Sequence, residues 1–177
     1  MKNIKNYDEF EIGELFESIN NPYNITLEKI SNDKYIIKFN NDKFLIEILD
    51  LSNGNDCWFY KFYRFDDNKN EYVDNLNPIE NKNDYGESTK ILGTVKKAFE
   101  DFINFKNPNG IYFIAYDKSK SRKSIYDLFL NGFTKIHKEY IKDKFYQDDA
   151  ILYCLYKNKI YSKIMRKTVF DKYGILF

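Results

Sequence analysis

Apolar residues recur at three- and four-residue steps through the first twenty positions: Ile4, Tyr7, Phe10, Ile12, Leu15, Phe16 and Ile19. That spacing predicts an amphipathic helix over residues 1–20, interrupted at Gly13 and ended by Asn20, Asn21 and Pro22. The period then shortens to two. Ile25–Ile30, Lys34–Asn40 and Lys43–Leu51 read as strands, the last two joined by the turn Asn40-Asn41-Asp42. Tyr35, Ile37 and Phe39 share one face of their strand, with Ile36 and Lys38 opposite. After the turn at Asn53-Gly54-Asn55-Asp56, Cys57–Phe65 is the most aromatic stretch of the chain. Trp58, Tyr60 and Phe62 take one face and Phe59, Tyr63 and Phe65 the other, so this strand belongs in the middle of a sheet. Asp66–Gly86 is polar and rich in Asn and Asp; it reads as a solvated loop of about 20 residues, either a plain exposed insertion or, at that length, a functional or mobile segment.

Ser88 or Thr89 then caps a helix in which Ile91, Leu92, Val95, Ala98, Phe99, Phe102 and Ile103 hold one face. Asn107-Pro108-Asn109-Gly110 ends it, and Ile111–Tyr116 is a continuous apolar run, the mark of a strand covered on both sides. Asp117–Ser121 is a polar loop. Ile125, Leu128 and Phe129 mark a second helix, closed at Asn131-Gly132-Phe133 by a glycine in the left-handed cap position. Thr134–Tyr146 and Ala150–Tyr156 form a terminal strand pair, and residues 160–177 form a C-terminal helix or arm rich in Lys and aromatics. This order predicts an α+β fold, a mixed sheet of six or seven strands flanked by helices. One β–α–β crossover makes Cys57–Phe65 and Ile111–Tyr116 parallel. With no internal repeat and no linker, residues 1–177 form one domain.

Composition narrows the chemistry. At 177 residues the chain can bury a full core. With 28 basic and 27 acidic residues, net +1, no global field draws it to a membrane or to nucleic acid. No apolar run reaches the roughly 20 residues of a bilayer span, and Met1–Asn20 lacks a secretory signal pattern. Cys57 and Cys154 lie too far apart for a disulfide or metal motif, and read as buried thiols in a reducing compartment. The single histidine, His137, sits on the presumed strand Thr134–Tyr146, leaving neither a metal cluster nor a Ser-His-Asp arrangement. Lys, Asn, Ile, Tyr and Phe dominate, as AT-rich codons dictate, so the source genome is read as bacterial or phage. Arginine survives only at Arg64, Arg122 and Arg166. Arg122 opens a helix, where positive charge opposes the dipole. A ligand or acidic partner, or a salt bridge to Asp117, explains it. Lys157–Lys172 interleaves basic and aromatic residues and can meet a polyanion or a partner protein.

Within Ser88–Phe133, Ile91-Leu92-x-Thr94-Val95 with Phe99 and Phe102, the apolar strand, Arg122, Tyr126 and Asn131-Gly132-Phe133 follow one another before a strand pair. This succession resembles the C-terminal half of the GNAT fold, the N-acetyltransferase-like fold. It resembles more closely the small GNAT-like proteins of tailed phages and their bacterial relatives, mostly of unknown function. The resemblance covers about Asn83–Lys157; the N-terminal half agrees in strand order alone. Acetyltransferases of this fold seat the CoA pyrophosphate on backbone N–H groups at a helix N-terminus, supplied by an Arg/Gln-x-x-Gly-x-Gly/Ala turn. Lys90–Val95 corresponds here, with Gly93 matching a glycine and branched Val95 standing where a small residue belongs. The family's general acid is a tyrosine four residues before a Gly-Phe pair, whereas Tyr126 lies six before Gly132. The resemblance therefore implies a GNAT-like scaffold without catalysis and without a cofactor. Such a protein acts as a virion-associated or protein-binding module, located in the host cytoplasm or the virion. The alternative it implies is an acyl-CoA-dependent N-acyltransferase, with Gly93, Thr94 and Arg122 holding acetyl-CoA and Tyr126 protonating the leaving thiolate. A third reading is a polyanion-binding accessory protein using Lys157–Lys172. Lys5-Asn6-Tyr7-Asp8-Glu9-Phe10-Glu11 resembles the short targeting segments of proteins packaged in phage heads.

Overall fold

The computed structural model describes residues 21–74, 85–116, 120–148 and 150–177; the helix expected at 1–20, with its targeting-like segment, lies outside them. In chain order the elements are β1 (Ile25–Ser31), β2 (Lys34–Phe39), β3 (Phe44–Asp50), β4 (Cys57–Asp66), β5 (Glu71–Asp74), α1 (Tyr85–Lys106), β6 (Gly110–Tyr116), α2 (Lys120–Ile136), β7 (Ile141–Gln147), β8 (Ala150–Tyr156) and α3 (Lys159–Tyr173). The fold is α+β. One mixed sheet runs β1-β2-β3-β4-β6-β8-β7, with β5 paired to β4 off this path. The β4–β6 pair is parallel, as the α1 crossover requires, and the other pairs are antiparallel.

The asparagine- and aspartate-rich punctuation has a conformational use. Among the described residues, the non-glycine residues with positive φ are Asp42, Asn53, Asp56, Asn70, Asn107 and Asp148. Every one is Asn or Asp, the types that tolerate the left-handed region by bonding to nearby backbone. Register follows from the alternation. Ile37 lies opposite Ile46 and Ile48 opposite Tyr60, which stacks apolar rows on one face. There Tyr35, Ile37, Phe39, Ile46, Ile48, Trp58 and Tyr60 pack beneath Phe99, Phe102 and Ile103 of α1 and Leu130 and Phe133 of α2. The opposite face carries a second core of Cys57, Phe59, Tyr112, Leu152, Cys154 and Tyr156, closed by Met165 and Val169 of α3. Two-sided cover explains why β8, Ala150–Tyr156, is buried at every position. On β1–β3 the second face instead holds ion pairs, Lys38 with Glu28 at 2.9 Å and Lys34 with Glu47.

The starts of β4 and β6 are knotted by Asp56. Its backbone carbonyl accepts from Asn109 N at 3.0 Å and Gly110 N at 3.2 Å. Its Oδ1 accepts the Trp58 indole N–H at 2.7 Å. Gly110 lies in a tight place: a Cβ there would meet Met165 Sδ at 3.1 Å and Cys57 Sγ at 3.2 Å, so those side chains would have to yield by a few tenths of an ångström.

Three expectations are corrected. Among the described residues the sheet has eight strands, because part of the expected Asp66–Gly86 loop is β5. It is held to the end of β4 by Tyr72, whose ring meets Phe65 edge-on at 5.2 Å and whose hydroxyl donates to Asp42 O at 2.8 Å. Second, Gly132 does not close α2, which runs on to Ile136. Burial of Leu130 and Phe133 one turn apart outweighs the roughly 1 kcal/mol that a mid-helix glycine costs. Third, His137 is therefore in a turn and not on a strand, stacked on Phe133 at 4.2 Å, and β7 begins only at Ile141.

Candidate functional site

A parallel strand pair in an open sheet leaves a crevice beyond the carboxyl ends of its strands, and ligands of α/β proteins favour such places. Here the pair is β4 and β6. Their ladder is short, Cys57 opposite Gly110, Trp58 opposite Ile111 and Phe59 opposite Tyr112. Beyond it β6 continues beside β8, while the same edge of β4 is taken by β5 from Tyr63 to Asp66. The wedge between the diverging strands is filled with rings. Tyr60, Phe99, Phe113 and Tyr126 all belong to the core that fills it. Phe99 meets Tyr60 edge-on at 5.3 Å and Phe113 at 6.3 Å. The Tyr60 hydroxyl donates to the Val95 carbonyl of α1 at 3.0 Å. Burial, then the nearby Asp101 and Tyr126, push this phenol well above its ordinary pKa. Its proton is held on the Val95 carbonyl, so the phenol serves here as a structural donor.

The four residues singled out from the sequence fall in different surroundings. The helix expected from Ser88 or Thr89 begins at Tyr85, so Gly93 and Thr94 lie more than two turns inside α1. Their N–H groups point at carbonyls one turn back, and both residues are buried. The Thr94 hydroxyl donates to Lys90 O at 2.8 Å and accepts from the Tyr23 backbone N–H at 2.8 Å, fastening the approach to β1 onto the helix. The Lys90 ammonium sits 4.3 Å from the Tyr23 ring centre, so this side chain too serves the junction. Tyr126, on α2, is half-buried, with its ring against Phe113 at 5.4 Å and Tyr153 at 5.7 Å. Arg122 lies in the first turn of α2; its side chain, like Asp117, is outside the described residues.

A second concavity, about 300 Å³, opens between α2 and the edge strand β7, lined by Asp127, Leu130, Asn131, Lys142, Lys144 and Tyr146 among others. Two of its charges, Asp127 and Lys144, are paired with each other. Lys144 reaches both Asp127 oxygens at 2.9 Å, and that bond raises the lysine pKa. Neighbouring Asp143 accepts the Tyr156 hydroxyl. Among the described residues no group of three His, Cys, Asp or Glu side chains is arranged to hold a metal, and no helix is long and apolar enough to cross a membrane.

The two thiols are buried and free. Burial, reinforced by Asp50 and Asp56, pushes the Cys57 thiol up to about 12, and burial raises Cys154 as well. Neither thiol is poised as a thiolate at neutral pH. Neither thiol is expected to react with Ellman's reagent at pH 8 until denaturant is added, after which both react. Burial likewise raises the phenols of Tyr60, Tyr112, Tyr140 and Tyr156. Below about pH 8 these groups are protonated in folded and unfolded chain alike and leave stability unchanged. From about pH 9 upward the unfolded chain loses protons that the folded chain retains, so stability falls. The midpoint of urea unfolding is accordingly expected to drop between pH 8 and pH 10.5.

The β4–β6 wedge and the β5 strand went unseen in the sequence. The only signal for β5 was Tyr72 and Val73 within an otherwise polar stretch. The chain matches no protein-family model, and the curated proteins yield no relative in sequence.

Proposed function

We propose that this chain is a GNAT-like protein of the phage type whose scaffold has given up acyl transfer and serves as a protein-binding module, with other virion proteins as the expected partners. The strand order supports the scaffold half of this reading. Five antiparallel strands, the short β5 folded back on β4, lead through α1 to β6, parallel to β4, then through α2 to a hairpin whose second strand inserts beside β6. The observation that carries the non-catalytic half is the placement of Gly93 and Thr94. A diphosphate needs free N–H donors at the first turn of a helix, and these two positions lie in its buried interior, with the Thr94 hydroxyl bonded to Tyr23. Tyr126 supports it further, since its ring is one of the aromatic packing elements of the wedge.

Calorimetry with acetyl-CoA tests the reading directly. No heat of binding is expected up to millimolar ligand. Micromolar binding would return the chain to the acyltransferases and overturn the proposal.

A further inference from the structure

The charge of this chain is unevenly distributed. Lys157–Lys172 contains six basic residues and one acid, Asp171, a local +5 in a chain of net +1, so the remainder carries −4. Most of this segment is α3, whose buried side is spent on the second core through Ser162, Met165 and Val169. Its outer side presents Lys159, Lys163 and Lys167, all exposed, one turn apart and about 6 Å from one another along the axis. Ile160, 57% exposed, and Phe170, 48% exposed, stand between and beside them. Asn158 caps the helix by accepting from Ile160 N at 3.1 Å, and left-handed Gly174 ends it.

Like charges four residues apart destabilise a helix, and opposite charges at that spacing stabilise it. On α1 the chain uses the favourable arrangement, Lys96 with Glu100 at 3.9 Å and Lys97 with Asp101. On α3 Lys159, Lys163 and Lys167 repeat one charge at that spacing, with an acid, Asp171, only after the last of them, and among the described residues none of the three lysines has a carboxylate within 4 Å. The row is a stability cost that folding alone does not explain.

We infer that the outer side of α3 is the docking surface of the module, and that its partner presents a short acidic segment bearing apolar side chains between its carboxylates. This deepens the protein-binding reading above and rests on it. Charge complementarity requires an anion, and Ile160 and Phe170 require apolar groups at the same spacing. The helix is about 22 Å long. A uniform polyanion supplies no aliphatic groups to cover Ile160, whereas an acidic segment with apolar side chains between its carboxylates meets both the lysine row and the exposed Ile160 and Phe170. An anionic membrane calls for a continuous apolar face, and the continuous apolar face of α3 is already packed on the sheet.

The test uses the full chain and a fluorescent 20-residue helical peptide of glutamate and leucine, at about 50 mM salt. Saturable binding that weakens as salt rises is expected. Lys163→Glu should weaken it by about tenfold and at the same time raise the thermal midpoint, because it places an acid between Lys159 and Lys167. A Lys159→Gln, Lys163→Gln, Lys167→Gln variant should lose the binding with its fold intact by circular dichroism. The inference is overturned if the peptide does not bind, if Lys163→Glu leaves its affinity unchanged or lowers the thermal midpoint, or if a 20-nucleotide oligothymidylate or phosphatidylserine vesicles bind more tightly than the peptide. Acetyl-CoA calorimetry reads the underlying function separately. A chain that ignores both CoA and the peptide would keep its non-catalytic reading and lose only this surface.

Discussion

Replacing Phe99 with alanine is expected to remove about 3–5 kcal/mol of folding stability. Phe99 is 1% exposed and stands where α1, α2 and the sheet meet. Its ring makes edge-on contacts with Tyr60 at 5.3 Å, Phe129 at 5.1 Å and Phe133 at 5.9 Å, besides Phe113 in the wedge. Truncation loses the transfer energy of the ring and leaves a cavity walled by other rigid rings, which collapse poorly onto it. Domains of this size are stable by only about 5–15 kcal/mol, so the variant should unfold at markedly lower urea concentration. Phe99→Leu refills most of the volume and should cost well under half as much. Phe105 on the same helix is 62% exposed and supplies the control. Should Phe99→Ala shift the midpoint no further than Phe105→Ala, the wedge is not the packed junction described.

Asp56→Ala is the second large effect, about 2–3 kcal/mol, from a residue that is not in either core. Two separate losses add. The buried indole N–H of Trp58 loses its acceptor at 2.7 Å, and a left-handed backbone position, φ 57, passes from a residue type that tolerates it to one that does not. Asn109 N also loses its 3.3 Å contact with Oδ2. Asp56→Asn keeps an acceptor and the turn preference and should cost about 1 kcal/mol or less. Equilibrium unfolding of the pair distinguishes the two losses from a charge effect. If Asn is as damaging as Ala, the loss lies in the ion pair with Lys106 at 3.9 Å and the hydrogen-bond account fails.

Most strands were readable because each repeats at a period of two over a buried face. Tyr35, Ile37 and Phe39 announce β2, and the unbroken Ala150–Tyr156 announces a strand with cover on both sides. The α1 helix was readable from Ile91 to Ile103 and misread at its start, because Ser88 and Thr89 are good caps that helices also accommodate internally. That small difference decides the candidate site, since it moves Gly93 and Thr94 from a helix end to a helix interior. Gly132 misled in the same way. A local stop signal yielded to the tertiary burial of Phe133, which local preference does not contain. The wedge could not be read at all. It arises from β4 exchanging one neighbour for another along a single edge, and pairing between strands leaves no mark in either strand's own pattern.

Trp58 is the chain's sole tryptophan, and it is fixed at the centre of this arrangement. Its indole contacts Tyr35 and Phe102, lies 5.2 Å below the Lys106 ammonium and bonds the Asp56 carboxylate. Fluorescence excited at the red edge of absorption therefore comes from one chromophore at one place. The native protein carries a built-in optical probe of the parallel β4–β6 seam that joins its two antiparallel strand groups, and acrylamide quenching would register the opening of that seam without any label.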